Sequence, residues 1–230
     1  MRTGIIVEGK SDAAVITNIL NGILNISKCD IQYLVPELDF DETSLHKMRE
    51  QEYSNWTIVK QNCLNREKIS DFLETFEDNR FIVIHIDSDV RKEIGFDVSE
   101  PEKLDNIADI EKLRINIKNK IGEWLNNEYL EKIAFAIAIQ EIDAWLLTKY
   151  DKGQEDTSLF LNPKERLNKT LNKPNFLSEK ERKMIFSFND NFKKYSFLSQ
   201  DFRKLKNITK LKEKNLSLKK FCDELEGFKI

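Results

Sequence analysis

The sequence predicts an α/β protein: a mainly parallel sheet flanked by helices, followed by a helical, basic C-terminal lobe. Three observations carry this. Residues 81–86 (FIVIHI) and 132–139 (KIAFAIAI) are near-continuous apolar runs, the pattern of strands buried on both faces of a parallel sheet. A short apolar run at 3–7 (TGIIV) passes through Glu8-Gly9-Lys10 straight into a helical pattern, the opening of an α/β unit. Charge divides the chain as well. Residues 1–160 hold 19 Lys and Arg against 31 Asp and Glu, a net of −12, whereas residues 161–230 hold 18 against 9, a net of +9.

Taken in order, Ser11 is placed to cap a first helix whose apolar side is Ala13, Ala14, Ile16, Ile19 and Leu20. Residues 31–38 (IQYLVPEL) read as a second strand that Pro36 ends or puts near an edge. Residues 39–55 are acidic and without period, a loop or irregular helix. Ile69, Phe72, Leu73 and Phe76 fall at helical spacing within 66–77, ahead of the FIVIHI strand. That strand ends in Asp87-Ser88-Asp89 and a polar insert to residue 105. A long helix over 107–126 carries Ile110, Leu113, Ile117, Ile121 and Leu125 on one stripe. The KIAFAIAI strand leads directly into a helix over 140–150. The polar linker 151–156 closes a body of residues 1–156, and the lobe of residues 157–230 is helical, most clearly at 163–171, 178–188 and 217–225.

Composition narrows the class. With 230 residues, 40% of them hydrophobic, the chain can bury one substantial core and is not of disordered type. No apolar run approaches the ~18–20 residues of a membrane span, and the start MRTGIIVEGK is not that of a secretory signal. The three cysteines, Cys29, Cys63 and Cys222, lack a CxxC spacing and argue against a disulfide framework or zinc cluster. A reduced, cytoplasmic protein is expected. The basic lobe suits either a grip on a polyanion or a solvated Lys-rich helical surface.

Ligands of open parallel sheets bind outside the carboxyl ends of the strands. Three predicted strands end there in acids: Glu8; Asp87 and Asp89; Glu141 and Asp143. Carboxylates gathered together repel unless a cation lies among them. Hard oxygen donors favour Mg²⁺ or Mn²⁺, and two such ions about 4 Å apart can hydrolyse a phosphodiester. For Asp12 and Glu141 a second explanation stands beside this one, since acids also stabilise helix N-termini.

VEGKSD at 7–12 and HIDSDV at 85–90 resemble the two signature motifs of the Toprim domain, which topoisomerases, bacterial primases, ribonuclease M5-like enzymes and OLD-type nucleases share. The resemblance implies a compact parallel α/β fold in which Glu8, Asp87 and Asp89 form the catalytic divalent-metal site. Asp12 falls where OLD-type members carry a further acid. AIQEIDAWLLTKY resembles the EIEAWLL segment of small stand-alone bacterial Toprim-like proteins, the DUF4276 group, which makes Glu141 and Asp143 third-cluster acids. Asp143 is one carbon shorter than the Glu usual there. A DxD after an apolar strand also fits haloacid-dehalogenase-type phosphatases and nucleotide-sugar glycosyltransferases, but these leave VEGKSD unexplained.

Smaller signals have two readings each. His85 is either a hydrogen-bonded core histidine or a group serving the site. Lys10 in the glycine turn meets phosphate or solvent. Trp145 reads as core. In the lobe, Lys193, Lys194, Arg203 and Lys204 alternate with Phe192, Tyr195 and Phe202. The cations are expected on a nucleic-acid backbone, and most of the aromatics in the lobe's core.

Together these readings lead to a Mg²⁺- or Mn²⁺-dependent nuclease, with two ions expected at the acid cluster, acting on DNA or a structured RNA such as tRNA. The resemblance also implies anti-phage defence beside an ABC-type ATPase. The sequence has no GxxxxGK[ST] loop of its own, so an ATPase would be a separate chain. A homodimer is left open. The alternative is a catalytically silent Toprim-like module that binds nucleic acid or an ATPase.

Overall fold

A computed structural model gives the fold and describes residues 1–36, 55–75, 79–174 and 176–229. Strands β1 (Arg2–Ile6), β2 (Ile31–Val35), β3 (Arg80–Asp87) and β4 (Ile133–Ala138) make one sheet in the order β2-β1-β3-β4. Every neighbouring pair is parallel. The helices among the described residues are α1 (Lys10–Leu24), α2 (Trp56–Asn65), α3 (Glu67–Leu73), α4 (Ile107–Trp124) and α5 (Asp143–Tyr150), then α6 (Pro163–Leu171), α7 (Glu179–Ser187), α8 (Asn191–Leu198), α9 (Leu205–Leu211) and α10 (Leu216–Glu226). The expected α/β class with a mainly parallel sheet is the fold observed. No helix among the described residues is long and apolar enough to cross a membrane.

Both faces of the sheet are covered, and the two-residue period of a strand assigns each side chain. Ile82, Ile84 and Ile86 of β3 join Ile133, Phe135 and Ile137 of β4 in a core with α2, α3 and α4. Phe81 and Val83, with Ala134, Ala136 and Ala138, face α1, α5 and the C-terminal helices. The three alanines keep that face of β4 shallow, which lets α10 lie close on it. The same period puts His85 and Asp87 on the α1 side.

The C-terminal helices share this second core. Phe192, Tyr195, Phe202, Ile208 and Phe221 pack in one cluster with Ile16, Ile19 and Leu20 of α1. Polar contacts fasten the seam. The buried Asn18 side chain donates to the Ser196 carbonyl at 2.9 Å and to Ser199 Oγ at 2.6 Å, and accepts from Arg203 Nε at 2.6 Å. At Gly22 a Cβ would stand 1.8 Å from the Phe202 carbonyl oxygen, so glycine is needed for this approach. The exposed edge of β4 is closed by α10, where Glu224 accepts from the Phe135 amide at 2.9 Å and from Lys118 Nζ at 2.8 Å.

Several local expectations change. Gly9, not Ser11, is the N-cap of α1, and Ser11 Oγ instead donates to Asp12 Oδ1 at 3.2 Å. Helix α5 starts at Asp143, because Gln140 takes a left-handed φ of 67° and interrupts the path from β4. Helix α2, which the periodicity did not reveal, covers the sheet through Trp56, Val59 and Cys63. Residues 37–54 and 76–78 lie outside the described residues, and with them the end of the second predicted strand, most of the 39–55 loop and Phe76.

Candidate metal centre

In the order β2-β1-β3-β4 the chain leaves β1 to one side and β3 to the other, and the crevice between their carboxyl ends is the natural ligand site. Glu8 follows β1 there and Asp87 ends β3. The Glu8 carboxylate accepts the Asp87 amide at 2.7 Å, which ties the two exits together. The exits of β3 and β4 are tied in turn. The Gln140 amide donates to Ser88 Oγ at 2.8 Å, and the Asp89 amide to the Gln140 carbonyl at 3.0 Å. Asp12 comes from the first turn of α1, and Asp89 from the short 3-10 segment Ser88–Lys92. Glu141 comes from the turn after β4, and Asp143 is the first residue of α5.

His85 stands beneath these acids, fully buried. Its Nδ1 lies 2.6 Å from the Ala136 carbonyl, an acceptor only, so Nδ1 carries a proton. Nε2 points the other way, 3.2 Å from Asp87 Oδ1 and 4.0 Å from Asp12 Oδ1. Neither His85 Nε2 nor Asp87 Oδ1 has a hydrogen-bond partner. One donor atom each from Asp12, His85 and Asp87 lies within 4.8 Å of the others. His85 is thus a core histidine through Nδ1, and it turns Nε2 toward the acid cluster.

The electrostatics are those of a buried carboxylate cluster only partly compensated by nearby cations. Burial, and then the charge of Asp87, pushes Glu8 up to about 9. Asp87 is held well above the usual carboxylate range by burial and then by Asp12, Asp89, Asp143 and Glu141. Burial raises Asp12 too, against the opposing pull of His85. Asp89 is raised by burial and by Glu141. Asp143 is pushed up to about 6 by burial, partly offset by a hydrogen bond from Tyr195. Asp87 thus lies at the centre of the group: it raises Glu8 and is itself raised by Asp12, Asp89, Asp143 and Glu141. A divalent cation among them would reverse the repulsion, and the unpartnered Asp87 oxygen and His85 nitrogen are donors of the right kind. The residues present fit such an ion.

The C-terminal lobe reaches the same place. The Tyr195 hydroxyl of α8 donates to Asp143 Oδ1 at 3.0 Å, and burial beside these acids drives that phenol far above its ordinary value. The Lys164 amide, in the first turn of α6, approaches Glu141 Oε2 at 3.4 Å. The Lys164 charge favours the ionised forms of Asp12 and Asp143.

Compared with family models, with curated proteins and with solved structures, the chain matches none.

The remaining expected site residues are placed as follows. Lys10 is half-buried at the start of α1, two residues before Asp12. Lys193, exposed, and Lys194, half-buried, precede Tyr195 on α8. Lys204 is exposed beyond the 3-10 segment Gln200–Arg203. Arg203 is engaged within the protein, bonding Asn18 at 2.6 Å and Ser196 Oγ at 2.8 Å. Trp145 is core: it stacks on Phe221, and its Nε1 donates to Ser217 Oγ at 2.8 Å. Lys164 and the Asp143 contact of Tyr195 were missed from the sequence. One signal was available for Lys164. A lysine next to Pro163 at a helix start opposes the helix dipole, and nearby anions compensate for that.

Proposed function

We propose that this chain is a divalent-metal-dependent nuclease of the Toprim type that hydrolyses phosphodiester bonds in DNA or RNA. The observation that supports it most is the 2.7 Å bond from the Asp87 amide to the Glu8 carboxylate, which brings the acids of two separate motifs to one crevice. Glu8, Asp87 and Asp89 would hold Mg²⁺ or Mn²⁺, with Asp12, Glu141 and Asp143 completing the site for two ions. Bound there, the ions would activate water and stabilise the leaving oxygen.

The chain's own residues do the rest. Lys164 and the amide end of α6 offer a cationic neighbour for a phosphate at the acid cluster. Lys10, Lys193, Lys194 and Lys204 would follow the nucleic-acid backbone, the last three belonging to the stretch 161–230 that carries the excess of +9. Arg203 would contribute chiefly by holding the lobe on α1. A cytoplasmic role in bacterial anti-phage defence, next to a separate ABC-type ATPase, belongs to the same proposal.

The test incubates purified full chain with plasmid, single-stranded DNA and tRNA in Mg²⁺, Mn²⁺ or EDTA. A toxicity assay of wild type against Glu8→Gln in cells accompanies it, to reveal an activity that needs a partner. Metal-dependent cleavage lost in Glu8→Gln supports the proposal. Salt-sensitive binding without cleavage or toxicity favours the second reading, a silent nucleic-acid- or ATPase-binding module. One feature favours that reading: one oxygen of Glu8 and one of Asp143 are already committed within the protein.

A further inference from the structure

We infer that His85 is a nitrogen ligand, and that the Asp12–His85–Asp87 group selects a first-row transition ion such as Mn²⁺ over Mg²⁺. The acids alone would suit either ion. What separates them is an imidazole nitrogen, which transition ions accept readily and Mg²⁺ does not. The ring is already set for that task. Its Nδ1–H is fixed on the Ala136 carbonyl at 2.6 Å, the backing that metal-bound histidines use to orient the ring and strengthen the other nitrogen as a donor. Nε2 is left unpartnered in a fully buried ring, with Asp87 Oδ1 at 3.2 Å and Asp12 Oδ1 at 4.0 Å. Two ligands each ~2.1 Å from one ion lie roughly 3–4 Å apart, so the three atoms need little movement to share it.

The competing role is an imidazolium paired with both aspartates. It would need a proton on Nε2 and would exclude a metal from that nitrogen. The strand arrangement explains why the group assembles. His85 and Asp87 share a face of β3, Asp12 descends from α1 above them, and Ala136 lies opposite His85 in the neighbouring strand.

The inference rests on the metal reading of this cluster but not on nuclease activity. Its test is pulsed electron paramagnetic resonance of Mn²⁺ bound to the full chain with ¹⁵N-labelled histidine. The chain has 2 His, His46 and His85. Nitrogen modulation from bound Mn²⁺ is expected in wild type and in His46→Gln, and is expected to vanish in His85→Asn. His85→Asn is also expected to weaken Mn²⁺ binding at least ~10-fold while leaving Mg²⁺ binding nearly unchanged. Should His85→Asn not fold, as judged by circular dichroism, the first two proteins decide the matter, because modulation surviving in His46→Gln can come only from His85. Mn²⁺ bound without nitrogen modulation, or no Mn²⁺ bound at all, overturns the inference. Nitrogen modulation in a protein that cleaves no nucleic acid upholds the inference and counts against the nuclease.

Discussion

Tyr195 donates its hydroxyl to Asp143 Oδ1 at 3.0 Å in a buried contact across 52 residues of sequence. It is the most direct link between the basic lobe and the acid cluster, and it has a measurable consequence. Tyr195→Phe leaves a buried carboxylate one bond short, so the full chain should lose roughly 1–3 kcal/mol in urea unfolding. Because that bond favours the ionised acid, Asp143 should titrate above about 6 in the variant. Carbon-13 NMR of the Asp143 carboxyl would report this. An unchanged midpoint and titration would show the bond to be idle.

Metal-free stability should fall as pH rises. Glu8 titrates near 4.5 when exposed and near 9 in the fold, and Asp143 moves from 3.8 to about 6. Across those windows the unfolded chain has released protons that the folded chain still holds, so ionisation favours unfolding. From pH 5 to 9, Tm in EDTA is expected to decline by several degrees, at ~2–4 °C per kcal/mol for this size. Saturating Mn²⁺ should flatten the decline, since the ion favours the ionised carboxylates. A Tm in EDTA that rises through this range would contradict the cluster's electrostatics.

Asp87→Asn should separate stability from metal binding. At alkaline pH, where Asp87 is ionised, removing its charge relieves repulsion with Asp12, Asp89, Asp143 and Glu141, so the EDTA form should melt higher than wild type there. The same change should abolish most of the Mn²⁺-dependent rise in Tm, because an amide is a weak ligand for the ion. Differential scanning calorimetry with and without Mn²⁺ measures both.

At the seam between α1 and the lobe, Gly22→Ala would set a methyl 1.8 Å from the Phe202 carbonyl oxygen. Backbone must move, and a cost of ~3 kcal/mol or more is expected, against a small gain for alanine at an ordinary helical glycine. Urea unfolding distinguishes these outcomes by sign.

Lys164 and the α8 lysines should fail in different ways. Lys164→Gln is expected to lower cleavage ~10²-fold with modest loss of binding. Lys193→Gln with Lys194→Gln should weaken binding of all sequences alike and make log K less steep in log salt by ~0.7 per lost contact on a single strand. Cleavage rates at saturation and binding isotherms at several salt concentrations check both.

Much of the fold was legible because it depends on local period. The FIVIHI and KIAFAIAI runs are β3 and β4, and Pro163 opens α6 where the helical pattern begins. The acids Glu8, Asp87 and Asp89 were legible as strand ends after an alternating α/β pattern. What escaped depends on non-local packing. The Ala136 carbonyl that orients His85 belongs to another strand, and Tyr195 finds Asp143 only once α8 lies against α1. Gln140 hides the late start of α5 because a left-handed glutamine carries no composition signal. The near-neutral net charge of −3 likewise conceals an acid cluster and a basic lobe that meet at Lys164 and Tyr195.

The proposed chemistry is phosphodiester cleavage by a divalent ion held among the acids that the Glu8–Asp87 bond joins. Its most direct test is the initial cleavage rate of plasmid, single-stranded DNA and tRNA by wild type and by Asp87→Asn in Mn²⁺. At least one substrate should be cut by wild type, not in EDTA, and ~10³-fold more slowly by Asp87→Asn. Equal rates for the two proteins, or cleavage that persists in EDTA, would contradict it.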